Sequence, residues 1–186
     1  RRASSVAHIG AIDLGGDNPI RIQSMTTTNT NDTEACVRQA EEIIKAGGEL
    51  VRFTTQGSRE AENMKNINAG IRADGYQTPL VADVHFNPNV ADVAALYCEK
   101  VRINPGNYVD PARKFIKQEY TDEEYAHELK KIEERFVPFL NICKENHTAI
   151  RIGVNHGSLS DRIRNRYGDT PEGIVESCLE FLRICK

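Results

Sequence analysis

Along this chain, short apolar runs alternate with stretches in which apolar residues return every three or four positions, the pattern of strands alternating with amphipathic helices. Residues 6–10 and 11–16 read as two short strands forming a hairpin, and residues 19–24 as a fuller strand. A helix follows. Asn31 is placed to cap it with Glu34 three residues on, Val37, Ala40 and Ile44 share a face with Cys36 and Ile43, and Gly47-Gly48 ends it. Residues 49–54 form the next strand, and Ser58 caps a second helix that carries Ala61, Met64, Ile67 and Ile71. Residues 79–84 read as a buried strand, Asn87-Pro88 opens a short helix through Tyr97, and residues 100–104 form a further strand.

The stretch 108–147 exceeds what a crossover needs. It predicts a short helix near 111–116, then a capping box, Thr121-Asp122-Glu123-Glu124, opening a helix with Tyr125, Leu129, Ile132, Phe136, Phe139 and Cys143 at helical spacing. Pro138 lies inside that helix and should kink or interrupt it. Residues 149–154 form a last strand, and Thr170-Pro171 starts a last helix with Ile174, Val175, Cys178, Leu179, Leu182 and Cys185 facing inward. Such alternation implies an α/β fold of right-handed βαβ units with a parallel sheet. An open doubly wound sheet and a TIM-type (β/α)8 barrel both satisfy it. About five strand–helix units are present where a barrel takes eight, so a barrel would be incomplete in this chain. Nothing in residues 1–186 suggests a linker between domains. The edge strands of a partial barrel would need cover from the hairpin, the rest of the barrel or another copy in a homo-oligomer.

Composition narrows the class. The 186 residues are 39% hydrophobic and 27% charged, enough to bury a core without disulfides or a metal. No run of about 18 apolar residues could span a membrane, and Arg1-Arg2-Ala3-Ser4-Ser5 leads into no signal-peptide core. A cytoplasmic protein is therefore expected, and the lack of a transit segment disfavours a plastid. The balance of 24 Lys+Arg against 27 Asp+Glu argues against a nucleic-acid surface. Cys36, Cys98, Cys143, Cys178 and Cys185 are widely spaced with no C-x-x-C among them, and read as reduced core thiols, so no metal site is assigned.

The candidate chemistry gathers at strand ends. Arg21, Arg52, Arg102 and Arg151 each stand between apolar residues of a strand. A guanidinium is rarely buried without a partner. Four in one sheet favour a shared anion, with an ion pair to Asp83 or a helix carboxylate as the alternative. Residues at the carboxyl ends of parallel strands can share one pocket. Period-two alternation places Arg102 with Asn104, and Asp83 with His85, on one side of the sheet. Guanidinium forks suit phosphate oxygens, so the implied ligand is a small phosphorylated molecule. His85 reads equally as an acid/base or as a satisfied core histidine. Gly15-Gly16 reads as a turn, since no phosphate-loop pattern follows it.

The strings Gln23-Ser24-Met25-Thr26, Val81-Ala82-Asp83-Val84-His85-Phe86, Val101-Arg102-Ile103-Asn104-Pro105-Gly106-Asn107 and Arg151-Ile152-Gly153-Val154-Asn155-His156-Gly157-Ser158-Leu159 together resemble the signatures of the 4-hydroxy-3-methylbut-2-enyl diphosphate synthase (IspG/GcpE) family. Ser160-Asp161-Arg162-Ile163, Tyr167-Gly168-Asp169-Thr170-Pro171 and the long segment 120–144 resemble its larger, plant-like form. The resemblance implies a TIM-type barrel holding 2-C-methyl-D-erythritol 2,4-cyclodiphosphate and a separate C-terminal domain with a 4Fe-4S cluster. Electrons from ferredoxin or flavodoxin would open the ring and remove a hydroxyl in the MEP route to isoprenoids. By motif, Arg52, Arg102 and Arg151 would grip the diphosphate, with Asn104 and Asn155 assisting. Asp83 and His85, the catalytic candidates, would lie near the carbon skeleton.

In that family three cysteines and a glutamate near the far C-terminus hold the cluster, and none of the five cysteines here is assigned to it. The chain alone is therefore expected not to turn over substrate. Another phosphate-binding barrel, pteroate-synthase-like or aldolase-like, is an alternative, although an aldolase wants a Schiff-base lysine at a strand end and Lys100 lies at a strand start. A non-catalytic binding module is the other.

Overall fold

The computed structural model describes residues 2–110 and 119–186. Its elements run β1 (Ala7–Ile9), β2 (Ile12–Leu14), β3 (Gln23–Met25), α1 (Thr33–Lys45), β4 (Leu50–Thr55), α2 (Ser58–Ala73), β5 (Leu80–Val84), α3 (Pro88–Ala94), β6 (Lys100–Ile103), α4 (Asp122–Glu145), β7 (Ala149–Ile152), α5 (Asp161–Tyr167) and α6 (Pro171–Ile184). Strands β3 to β7 form one parallel sheet in chain order, and β1 and β2 form a separate antiparallel hairpin. Sequential parallel strands joined by helices make an arc of (β/α) units, and no closed barrel forms among the described residues.

The two faces of the arc differ in chemistry because strand residues alternate. Val51, Phe53, Ala82, Val84, Val101 and Ile103 face the helices and build the main core with residues such as Met64, Ile67 and Val90. The inner face is polar except at its lower end. There Ile9 and Ile12 of the hairpin meet Leu50, Val81 and Ala149 and plug the N-terminal end of the arc. Register aligns Met25, Arg52, Val81, Lys100 and Ala149 in one row across the sheet. The next inward-facing row toward the carboxyl ends holds Thr54, Asp83, Arg102 and Arg151. The hairpin pairs with neither edge strand, so of the three alternatives of hairpin, remaining barrel and second copy, it is not the one that continues the sheet.

Several boundaries differ from the sequence reading for identifiable reasons. Asp32 rather than Asn31 caps α1, its carboxylate accepting the Ala35 N–H at 3.0 Å. Gly57 precedes α2, and Ser58 is already helical; the Glu60 carboxylate accepts the Gly57 N–H at 3.0 Å. Helix α4 runs unbroken through Pro138. The proline and Glu134, whose carbonyl it leaves unpaired, both lie on the exposed face, where water can satisfy that carbonyl. Helix α5 is an addition, capped by the Ser160 hydroxyl on the Ile163 N–H at 3.3 Å. The short helix expected near 111–116 falls outside the described residues. Helix α6 turns the opposite way from its apolar stripe: Gly173, Ser177, Glu180 and Phe181 are buried, whereas Val175 is 55% exposed and Cys185 is exposed.

Candidate functional site

Asp83 is the hub of the inner face and is 1% exposed. Its Oδ2 accepts from both Nε and Nη2 of Arg52, the first at 3.0 Å. Its Oδ1 accepts from Nη1 of Arg102 at 3.1 Å. Arg102 then lies across β7 and donates through Nη2 to the Gly153 carbonyl at 2.7 Å. Position 153 has to lack a side chain for this, since a Cβ there would stand 2.0 Å from Nε of Arg102. Burial pulls the Arg102 pKa below its usual range and Asp83 opposes that shift; a guanidinium keeps its charge through such a change.

His85 continues the same side of β5. Its Nε2 lies 3.6 Å from Oδ2 of Asp83, while Nδ1 is buried with no hydrogen-bond partner among the described residues. Asn104 opens the turn Pro105–Asn107, its Oδ1 accepting the Gly106 N–H at 3.2 Å and its Nδ2 donating to Oγ of Ser158 at 2.8 Å. Asn155 opens the turn His156–Ser158 in the same manner, its Oδ1 accepting the Gly157 N–H at 2.9 Å. The two loops touch so closely that a Cβ on Gly106 would meet the Ser158 carbonyl oxygen at 1.7 Å. Arg151 stands beside Arg102 in its row on the edge strand, exposed, with no ion-pair partner among the described residues.

Arg52, Asp83 and Arg102 thus come into direct contact, His85 and Arg151 flank them, and Asn104 and Asn155 shape the loops above. Arg21 does not join them. Its Nε donates to the Asp13 carbonyl at 2.9 Å and its Nη1 to Oε1 of Glu49 at 2.8 Å, holding the hairpin at the far end of the sheet. Ser158 and Gly153, which strand alternation does not mark, also carry the geometry. So does Arg162, which is 2% exposed and bridges Oδ2 of Asp110 at 3.0 Å and Oε1 of Glu180 at 2.7 Å. The Tyr125 hydroxyl donates to the same Glu180 oxygen at 2.5 Å. This network ties the loop after β6 to α4, α5 and α6.

Among the described residues, no three His, Cys, Asp or Glu side chains are grouped so as to hold a metal ion. Cys36, Cys98 and Cys143 are buried and burial pushes the Cys143 thiol up to about 12, whereas a cluster ligand must be a thiolate. The described residues do not fit a 4Fe-4S cluster. No helix among the described residues is long and apolar enough to cross a membrane.

Residues 4–186 match the GcpE TIM-barrel domain family. The whole chain is similar to proteins named 4-hydroxy-3-methylbut-2-en-1-yl diphosphate synthase (flavodoxin). That of Phocaeicola vulgatus is 78% identical over 185 residues, that of Parabacteroides distasonis 67% over 186, and that of Akkermansia muciniphila 52% over 186. The chain spans 30% of the length of the first two and 32% of the third.

Proposed function

We propose that this chain, which belongs to the GcpE TIM-barrel domain family, is the substrate-binding portion of a 4-hydroxy-3-methylbut-2-enyl diphosphate synthase. The full protein would reductively open 2-C-methyl-D-erythritol 2,4-cyclodiphosphate and remove a hydroxyl, in the cytoplasm of a bacterium. Its electrons would come from flavodoxin, the donor carried in its relatives' names. The 4Fe-4S cluster belongs to other parts of that protein in this reading, and this chain alone makes no product. One observation carries the proposal. On the inner face, Arg52, Arg102, Arg151 and Lys100 stand against Asp83 as the carboxylate among the described residues, so the face has an excess of positive charge that a diphosphate would neutralise.

Within that reading the roles follow from geometry. Asp83, engaged by two guanidiniums, orients Arg52 and Arg102 toward the ligand and is a positioning residue before it is a base. His85, whose Nε2 lies 3.6 Å from Oδ2 of Asp83, is the candidate to orient a hydroxyl or relay a proton near the carbon skeleton. Asn104 and Asn155 set the loops that cover the anion. A second reading has support in the Arg52–Asp83–Arg102 contacts: the arginines serve an ion-pair network and nothing binds.

Calorimetric titration with the cyclodiphosphate separates the two readings. Binding that is lost in Arg102→Ala and kept in Arg166→Ala supports the site, because Arg166 pairs with Asp122 outside the cluster. Absence of heat at millimolar ligand, or equal effects of the two substitutions, would refute it. Product formed by the purified chain with reductant would contradict the division of labour proposed between this chain and the rest of the protein.

A further inference from the structure

The inner face holds one charged group that these roles leave unused. Lys100 begins β6, two residues before Arg102 and on the same side, with Val81 and Ala149 as its neighbours in the row. Both neighbours belong to the apolar plug formed with Ile9, Ile12 and Leu50, so the floor beneath Lys100 offers its ammonium no acceptor. The residue is only 8% exposed, yet no described residue forms an ion pair or hydrogen bond with it. Other lysines show what a structural role looks like: Lys45 pairs with Glu41 at 2.7 Å and Lys131 with Glu128 at 2.6 Å.

The charged and titratable groups on the face with Lys100 are Arg52 on β4, Asp83 and His85 on β5, Arg102 on its own strand and Arg151 on β7. Asp83 is already engaged by Arg52 and Arg102. Lys100 is therefore a largely buried residue whose ammonium stands among other cations, and a counter-charge entering the face would relieve their repulsion. Burial first, then the guanidiniums of Arg151 and Arg52, pull its pKa below the ordinary lysine range. An anion arriving from the open end of the arc would reverse that pull and fix the proton on Nζ.

We propose that Lys100 is the floor ligand of the anion site, its ammonium taking the deepest oxygens of a small diphosphate whose upper oxygens meet Arg52, Arg102 and Arg151. The proposal rests on reading this face as a phosphate site, and adds to it a preference for two linked phosphates over one. Strand geometry sets Lys100 and Arg102 about 6–7 Å apart along β6. A diphosphate has the length to touch both levels, whereas a single phosphate satisfies one. An ammonium is suited to the floor because it is a compact charge with rotatable donors, while the planar guanidinium forks line the wall.

The test is titration of the full-length protein with inorganic pyrophosphate and, separately, orthophosphate, for wild type, Lys100→Met and Lys100→Arg, with thermal unfolding of each ligand-free protein. Loss of one charge-assisted contact should weaken pyrophosphate binding on the order of tenfold or more in Lys100→Met. Orthophosphate binding should change much less, Lys100→Arg should keep most of the affinity, and the ligand-free Lys100→Met protein should unfold at the wild-type temperature or above. Unchanged pyrophosphate affinity, an equal loss for both anions, or a lower unfolding temperature would each overturn the assignment. Failure of the wild type to bind either anion would sink the phosphate reading itself and this inference with it, and is told apart because it needs no substitution.

Discussion

Gly153→Ala tests the geometry of the site with one methyl group. The Cβ would stand 2.0 Å from Nε of Arg102 and 2.9 Å from its Cδ and Cγ, where ordinary contact needs about 3.5 Å or more. Arg102 is not free to swing aside, because it is held by Oδ1 of Asp83 at 3.1 Å and the Gly153 carbonyl at 2.7 Å. Two escapes exist. The guanidinium can move by more than an ångström and break both bonds, or the end of β7 can bend outward and break the Gly153 N–H bond to the Ile103 carbonyl at 2.8 Å. Either route removes Arg102 from β7. A hydrogen bond to a charged group contributes about 1.5–3 kcal/mol, so stability to urea should fall by about that amount. Pyrophosphate should bind about 10–100-fold more weakly, the same energy read as affinity. Gly157→Ala is the matched control, since its Cβ would meet Oδ1 of Asn155 at an ordinary 3.4 Å. Gly153→Ala protein with wild-type stability and affinity would show that Arg102 is not held across β7.

Asp83→Asn keeps the shape of the side chain and removes the counter-charge of Arg52 and Arg102; breaking a buried pair this way should cost about 3–5 kcal/mol in urea unfolding, with part restored by pyrophosphate. A neutral effect would mean the two arginines find other acceptors. Arg162→Met leaves Asp110 and Glu180 buried without their cation and should cost about 3–5 kcal/mol, whereas Tyr125→Phe removes one hydrogen bond and should cost about 1 kcal/mol; similar losses would refute the network as drawn. Thiol labelling should reach exposed Cys185 first and Cys98 only on unfolding, because burial pushes the Cys98 pKa up and leaves little thiolate; equal rates for the two would contradict the packing.

The strand–helix alternation was legible because each strand of the arc is bounded by a helix whose apolar spacing differs from its own. Helix α6 shows where that signal stops. Its stripe of Ile174, Val175, Leu179 and Leu182 marks a face that seeks cover, and periodicity alone predicts it to face inward. In the structure, Glu180 is drawn in instead by Arg162 and Tyr125, and Val175 and Leu182 remain exposed. Periodicity identifies a face but not what lies against it. A buried ion pair between residues eighteen apart overrides the apolar preference by an interaction that no local pattern encodes.

The site divides in the same way. Alternation along each strand was enough to put Arg52, Asp83, Arg102 and Arg151 on one face, because parallel register carries that face from strand to strand. It could not say which arginine would be engaged, since the choice depends on reach across neighbouring strands. Asp83 lies between β4 and β6 and takes the arginines of both, leaving Arg151 on the far edge without a carboxylate among the described residues. The same alternation places Lys100, two positions from Arg102, on that face, and its place at the start of the strand counts against it only as a Schiff-base lysine. Depth reverses that judgement. A cation low on an inner face, above an apolar plug, level with Arg52 and below Arg102 and Arg151, has no ion-pair partner among the described residues, and its position at the start of β6 suits it to meet an anion that enters from the open end.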